Sequence, residues 1–362
     1  MTVMTNPGDT VILPTTMLGP LVVPGGTSRA GEIEDLSRRA AIYATRARGD
    51  GTKRAYRAAW TGFCQWCQSL GREPLTGDPD TIAMYLVRRA DDGCAVRTLR
   101  VGLAAIRTAH LLAGVPLDLR HAALSMVLEG ITRSKGVRPR RQATPAVPEL
   151  LRRLLAVRPA AETPLGARDR AMLLLGFAAA LRRSELVALT LADVIAVPGR
   201  GVQLTISRSK TDQQGRGDLV AVAANRSDAT FCPAVALNAW LTHRRGARDF
   251  TGGASDGERP LFCAVTKGGN VTGTALSDKA VVRLVKQAAT AAGLDSARFS
   301  GHSLRAGLAT AAGDAGAGLA ELMRQTRHRS TEVALGYLRP ADLWRNNVTA
   351  KVFAAVSDPE EA

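Results

Sequence analysis

The sequence predicts a mainly α-helical chain with a small antiparallel β-sheet: an all-helical N-terminal domain followed by an α+β domain. Three observations predict this. Residues 34–136 keep a helical apolar rhythm, a basic, proline-bearing stretch then breaks it, and one pair of β-like runs stands inside an otherwise helical second half. The chain has 362 residues, of which 46% are hydrophobic, enough for two domains that each bury a core.

Taken in order, residues 1–33 hold Pro, Gly and Thr with little charge and no periodicity, and read as a flexible tail. In "TKRAYRAAWTGFCQWCQSL" apolar residues recur at 56, 59/60, 63, 66/67 and 70, one buried helical stripe. "DPDTIAMYLVRRA" opens with Asp78 as a cap and Pro79 in the first turn. "AVRTLRVGLAAIRTAHLLAG" sets Leu99, Leu103, Ile106 and His110 on one face, with Arg97, Thr98, Arg100 and Arg107 off it. "RSKGVRPRRQATPAVP" (133–148) has no apolar stripe and reads as a basic linker whose Arg138, Arg140 and Arg141 can follow a duplex backbone. Helices are expected near 149–156 and 167–180. "GVQLTISRSK" and "DLVAVAA" flank the polar "TDQQGRG" and predict a hairpin. From about Ala275 to Ala355 the pattern is helical again.

Lys and Arg total 48 against 32 Asp and Glu, a net charge of +16. Such a balance points to a polyanionic partner, most often nucleic acid. Nothing resembles a signal peptide, and no apolar run reaches the ~20 residues of a membrane span, so no membrane partner and a cytoplasmic setting are expected. Of the five cysteines, Cys64 and Cys67 form one CxxC with no second pair to complete a metal site. They read as core residues.

The chemistry gathers in the second half. His302 and Arg305 lie three apart, on one face of a helix, but a lone HxxR is common on helix surfaces. Arg182 precedes Glu185 by the same interval, so a carboxylate can orient a guanidinium. Two arginines from distant segments can clamp one phosphodiester and stabilise a pentacoordinate phosphorus. Lys210, at the mouth of the hairpin, is able to protonate a leaving oxygen. His328 precedes Tyr337 by nine residues. Of the four tyrosines, Tyr337 alone follows this cluster, in a short segment ending at Pro340, and a phenolate is a usable nucleophile at phosphorus.

The order Arg182, Lys210, His302-x-x-Arg305, His328, Tyr337 resembles the tyrosine recombinase (phage integrase) family. "LRRSELVAL", "GHSLRAG" and "RHRSTEVALGY" are similar to its three signature boxes. The resemblance implies that Tyr337 attacks the scissile phosphate and leaves a 3′-phosphotyrosine. It implies that Arg182 and Arg305 bind the nonbridging oxygens, Lys210 is the general acid, His302 assists proton transfer, His328 hydrogen-bonds the phosphate and Glu185 orients the site. It also implies a SAM-like core-binding domain at 34–136, a linker at 137–148 and a catalytic domain at 149–340. The C-terminal helix at 341–362 would dock on a neighbouring subunit through Leu343, Trp344, Val348, Val352, Phe353 and Val356. The expected assembly is a monomer in solution, a dimer on each double-stranded DNA site and a homotetramer on two sites, with neither metal nor other cofactor. A topoisomerase IB-like or telomere-resolving enzyme with the same chemistry, or a catalytically silent DNA-binding relative, are the alternatives.

Overall fold

A computed structural model describes residues 48–136, 143–207, 217–245, 256–345 and 347–356, together with Leu36, Arg39 and Tyr43. The expected tail at 1–33 and linker residues Arg138, Arg140 and Arg141 lie outside them. Two compact units divide the chain between residues 140 and 141. No helix among the described residues is long and apolar enough to cross a membrane.

The first unit holds α1 (Asp50–Ser69), α2 (Pro79–Asp91), α3 (Val96–Ala113) and α4 (Ala122–Lys135). Asp78 caps α2 by accepting from the N–H groups of Asp80 at 3.1 Å and Thr81 at 3.2 Å, with Pro79 in the first turn, as the sequence leads one to expect. Glycine ends α3, where Gly114 takes φ +67° and so closes the helix without steric cost. The apolar stripes meet in a core of Trp60, Phe63, Cys67, Ile82, Leu86, Leu99, Ile106 and Leu124. Cys64 packs against that core, and burial raises its thiol to about 11, as suits a packing residue rather than a reactive one. His110 is a satisfied core histidine. Its Nδ1 lies 2.9 Å from the Ile106 carbonyl, and its Nε2 accepts the Gly77 N–H at 3.2 Å, which ties the α1–α2 loop to α3. Arg97, Thr98, Arg100 and Arg107 of α3 are exposed.

The second unit begins before its first helix. Residues 143–147, assigned by composition to the linker, are bonded into this unit: the N–H of Thr144 donates to Arg298 O at 2.8 Å and that of Ala146 to Ser303 O at 2.9 Å. Then come α5 (Pro148–Ala156), α6 (Pro164–Ala178) and α7 (Arg183–Ala188). An antiparallel sheet follows, of β1 (Val194–Val197), β2 (Gly201–Ile206) and β3 (Asp218–Ala223), with β2 central. The register pairs Val202 with Val222 and Leu204 with Val220, so alternate residues of both strands enter the core. After α8 (Pro233–Arg245) comes a separate hairpin of β4 (Cys263–Val265) and β5 (Val271–Ala275). The unit ends with α9 (Asp278–Ala291), α10 (Ser303–Asp314), α11 (Leu319–Thr326), α12 (Thr331–Arg345) and α13 (Val348–Val356).

Helix α10 sits at the centre of this unit, and its small residues explain how. A Cβ on Gly307 would stand 2.2 Å from the Ala146 carbonyl oxygen, and one on Gly313 3.0 Å from the Tyr337 carbonyl oxygen. Gly176 of α6 faces the same helix, where a Cβ would meet the Leu304 side chain at 2.9 Å. At Gly307 and Gly313 backbone therefore packs on backbone, which only glycine permits. The glycine and alanine of "GHSLRAGLATAAGD" thus bring α6, α10 and α12 together, and these three elements carry or support the site below.

Two expectations about the C-terminus need correction. Tyr337 was expected in a short segment ending at Pro340, yet α12 continues through Pro340 to Arg345. The apolar stripe from Leu343 to Val356 was expected on one helix, but α12 ends at Arg345 and α13 starts at Val348. On α13, Val348 and Val352 are exposed.

Because Gly307 has no room for a methyl group, Gly307→Ala is expected to cost about 1–3 kcal/mol of stability by overpacking. Thermal unfolding followed by circular dichroism checks this, and an unchanged midpoint would contradict the packing described.

Candidate active site

Helix α6 ends in a tight corner that the site is built around. The N–H of Leu181 bonds to Gly176 O at 3.0 Å and that of Ala180 to Phe177 O at 2.9 Å, the paired closure of a helix C-terminus. Such a corner needs a left-handed residue, and here it is Ala180 at φ +47°, at a cost of roughly 1 kcal/mol against glycine. The corner turns the Ala179 and Ala180 carbonyls toward incoming arginines. Arg305, from the first turn of α10 and 1% exposed, donates from Nη1 to Ala180 O at 2.8 Å. Its Nη2 is buried and has no hydrogen-bond partner among the described residues.

Arg182 follows the same corner as the residue that caps α7. Its Nη1 donates to Glu185 Oε1 at 2.5 Å, and its backbone N–H donates to Oε2 at 2.9 Å. Glu185 is buried. Burial alone would raise its carboxyl, but the Arg327 charge and the bonds from Arg182 outweigh that and hold it below the usual carboxylate range. Arg327 comes from the turn between α11 and α12, and its Nη2 donates to Glu185 Oε2 at 2.7 Å. Sequence reasoning missed this residue, although it stands inside the signature stretch around His328. The signal was a lone acid beside several arginines, a charge balance that calls for one more partner only once Glu185 is known to be buried.

Tyr337 projects from α12 to meet His302, the residue that caps α10, with Oη 3.1 Å from His302 Nε2. The ring of His328 stacks on the tyrosine, centroids 5.8 Å apart and planes 14° from parallel. His328 Nδ1 lies 2.8 Å from Thr326 Oγ1. Since that hydroxyl donates its own hydrogen to Leu322 O at 2.6 Å, it accepts from Nδ1–H, which leaves Nε2 of His328 for the site. Thr326 carried no sequence signal.

The electrostatics follow from crowding positive groups where water is scarce. Burial, and then the neighbouring Arg182, pushes Arg305 down to about 9. His328 is lowered to about 4, first by burial and then by Arg305 and Arg182. The same causes, in the same order, lower His302. Burial raises Tyr337, and the Arg305 charge opposes the rise. Both imidazoles are therefore neutral near pH 7, and the site holds an excess of guanidinium charge with buried donors unspent at Arg305 Nη2 and Arg327 Nε. An anion fits that description, and a phosphodiester is planar enough in its two free oxygens to accept from such donors.

Of the residues singled out from sequence, Arg182, Glu185, His302, Arg305, His328 and Tyr337 come together here. Lys210 lies outside the described residues, beyond the end of β2 at Ile206. The α3 residues Arg97, Thr98, Arg100 and Arg107 belong to the first unit.

Comparison with known proteins agrees with this geometry. Residues 148–343 match the phage integrase family. An integrase/recombinase XerD homolog of Selenomonas ruminantium is 34% identical over 88% of this chain and 90% of its own. Recombinase Cre of Escherichia phage P1 is more distant, 25% identical over 77% of this chain and 81% of its own. Among solved structures, the XerH site-specific recombinase bound to a palindromic difH substrate superposes with a TM-score of 0.62, covering 87% of this chain and 84% of that one at 18% identity, a likeness of fold. The extent of these matches, joined to the arginine, histidine and tyrosine constellation, shows that the chain belongs to the phage integrase family and is a tyrosine recombinase.

Proposed function

We propose that this protein recombines DNA at specific sites, with Tyr337 as the nucleophile that opens a strand and holds it until it is rejoined. The observation that carries the reading is Tyr337 Oη within 3.1 Å of His302 Nε2, beside a buried Arg305 N–H that no group among the described residues satisfies. The scissile phosphate would sit between Arg182 and Arg305, accepting from both guanidinium groups. His302 takes the phenolic proton on Nε2 as the phenolate oxygen bonds to phosphorus. The bond from phosphorus to the 5′ oxygen breaks, and Lys210 supplies the proton that oxygen needs. A 3′-phosphotyrosine and a 5′-hydroxyl result, and attack by the 5′-hydroxyl of another strand reverses the sequence. The diester energy is kept in the covalent link, so the cycle balances without a nucleotide or metal.

His328 bonds the phosphate through Nε2. With Nδ1–H engaged by Thr326, that contact is a donation only when the ring is fully protonated, and a phosphate beside it favours the proton. Double-stranded DNA is the partner. The exposed Arg97, Thr98, Arg100 and Arg107 of the core-binding unit would contact it, and so would the linker residues Arg138, Arg140 and Arg141, mostly at phosphates. The relatives are recombinases, which favours exchange between two sites over topoisomerase action. Exchange requires four cleaving subunits, a monomer in solution becoming a dimer per site and a tetramer on two. Val348 and Val352, one turn apart and exposed on α13, would dock on the adjacent subunit. Such an enzyme works in the cytoplasm, on the nucleoid.

Three outcomes follow from these roles. Tyr337→Phe keeps the ring that stacks on His328, so it should bind DNA like wild type. It should form no covalent complex with a duplex nicked near the cleavage point; an adduct from that variant would overturn the assignment. Neutral His302 is the proton acceptor, and its lowered proton affinity makes cleavage fully active at neutral pH and lost only as pH falls below about 6.5. The acid limb should vanish in His302→Gln, and its persistence there would remove His302 from the role. A chain ending at residue 346, before α13, should bind one site and cleave it while failing to pair two sites in a gel-shift assay; normal pairing would sink the docking role of α13.

A further inference from the structure

Arg327 lies between α11 and α12, and its backbone is left-handed, φ +55°, a conformation that glycine takes freely and a long side chain does not. Its guanidinium turns inward, with the side chain 5% exposed, although a surface position would leave the charge in water. Strain and burial at one residue persist only where the surroundings over-determine them.

The bonds of Arg327 show what the surroundings gain. Nη2 donates to Glu185 Oε2 at 2.7 Å and reaches Ala180 O at 3.5 Å. Nη1 donates to Ala179 O at 3.1 Å and Gln325 O at 3.2 Å. Glu185 is the carboxylate that orients Arg182, and Ala180 O is the acceptor that orients Arg305. One guanidinium therefore holds the anchors of both others. Both of its Nη groups are spent on protein acceptors, and only Nε is left without one among the described residues, so it does not need to touch the substrate to matter. Arg327 also supplies the second cation that lets a single buried carboxylate stay charged between two arginines.

We propose that Arg327 is a positioning residue for strand cleavage: it fixes Glu185 and the Ala179–Ala180 corner so that Arg182 and Arg305 present their N–H groups to the scissile phosphate in register. Lysine cannot replace it, because one ammonium on a flexible stem does not span a carboxylate and two diverging carbonyls. The inference rests on the phosphate-binding roles proposed for Arg182 and Arg305.

The test is single-turnover cleavage of a nicked duplex by the full chain, with the DNA dissociation constant measured alongside. Arg327→Gly relieves the backbone strain while removing the guanidinium. Its cleavage rate should fall about 100-fold, as for a small misplacement of catalytic groups, while its dissociation constant stays within about threefold. Millimolar guanidinium chloride should restore a large part of the rate, and sodium chloride at matched ionic strength should not. Arg327→Gly combined with Glu185→Gln should be no slower than the slower single variant, since both break one network. Should Arg327→Gly fail to fold, Arg327→Lys keeps the charge and decides instead, with an expected loss of at least about tenfold. A folded Arg327→Gly or Arg327→Lys that cleaves at the wild-type rate would overturn the proposal. Wild-type cleavage by Arg305→Ala would instead remove the phosphate clamp on which it rests.

Discussion

Three guanidinium groups share one largely buried region with a single carboxylate, and the second unit is organised around keeping them there. Like charges in a medium of low polarity repel strongly, so the arrangement stands only because Glu185 neutralises one charge and the carbonyls of Ala179 and Ala180 spread the rest. Two of these acceptors are shared. Glu185 takes bonds from Arg182 and Arg327, and Ala180 O from Arg305 and Arg327. What stays unsatisfied among the described residues of the cluster is donors, Arg305 Nη2 and Arg327 Nε, and unsatisfied buried donors in a positive site make a place for an anion.

That cluster would be inert without a nucleophile at a fixed distance, and here the packing of α10 connects structure to chemistry. His302 and Arg305 leave the start of α10, Tyr337 leaves α12, and Gly313 lets the two helices approach until a Cβ would nearly touch the Tyr337 carbonyl oxygen. At the other face, Gly307 admits the extended segment around Ala146. Among the described residues, the two non-glycine residues with left-handed backbone, Ala180 and Arg327, both lie at the site and both belong to the arginine network. Local conformational cost is concentrated where charges must be aimed.

The sequence revealed the chemistry more fully than the geometry. Arg182, His302, Arg305, His328 and Tyr337 were legible because their order and the stretches around them together resemble the family's signature boxes, where no single spacing would have sufficed. Asp78 was legible as a cap because its job is local. Arg327 was not, since Glu185 and the Ala179 and Ala180 carbonyls that it bonds are distant in the chain; Thr326 was not, since a threonine two residues before a histidine does not by itself predict their hydrogen bond. Strand β1 and the β4–β5 hairpin escaped notice because three to five residues hold too little alternation to read. A proline such as Pro340 ordinarily stops a helix, whereas α12 runs through it, and the apolar stripe beyond it is divided between two helices. Lys210 and the linker arginines remain sequence-based assignments.

The most direct measurement replaces the scissile diester by a methylphosphonate, which keeps the phosphorus but removes one negative oxygen. If a preassembled positive site acts by matching phosphate charge, Arg305→Ala should lose about 10²–10³-fold on the normal diester and much less on the neutral linkage. An equal loss on both substrates would mean that Arg305 only supports the fold, and would contradict the charge-matching role of the site.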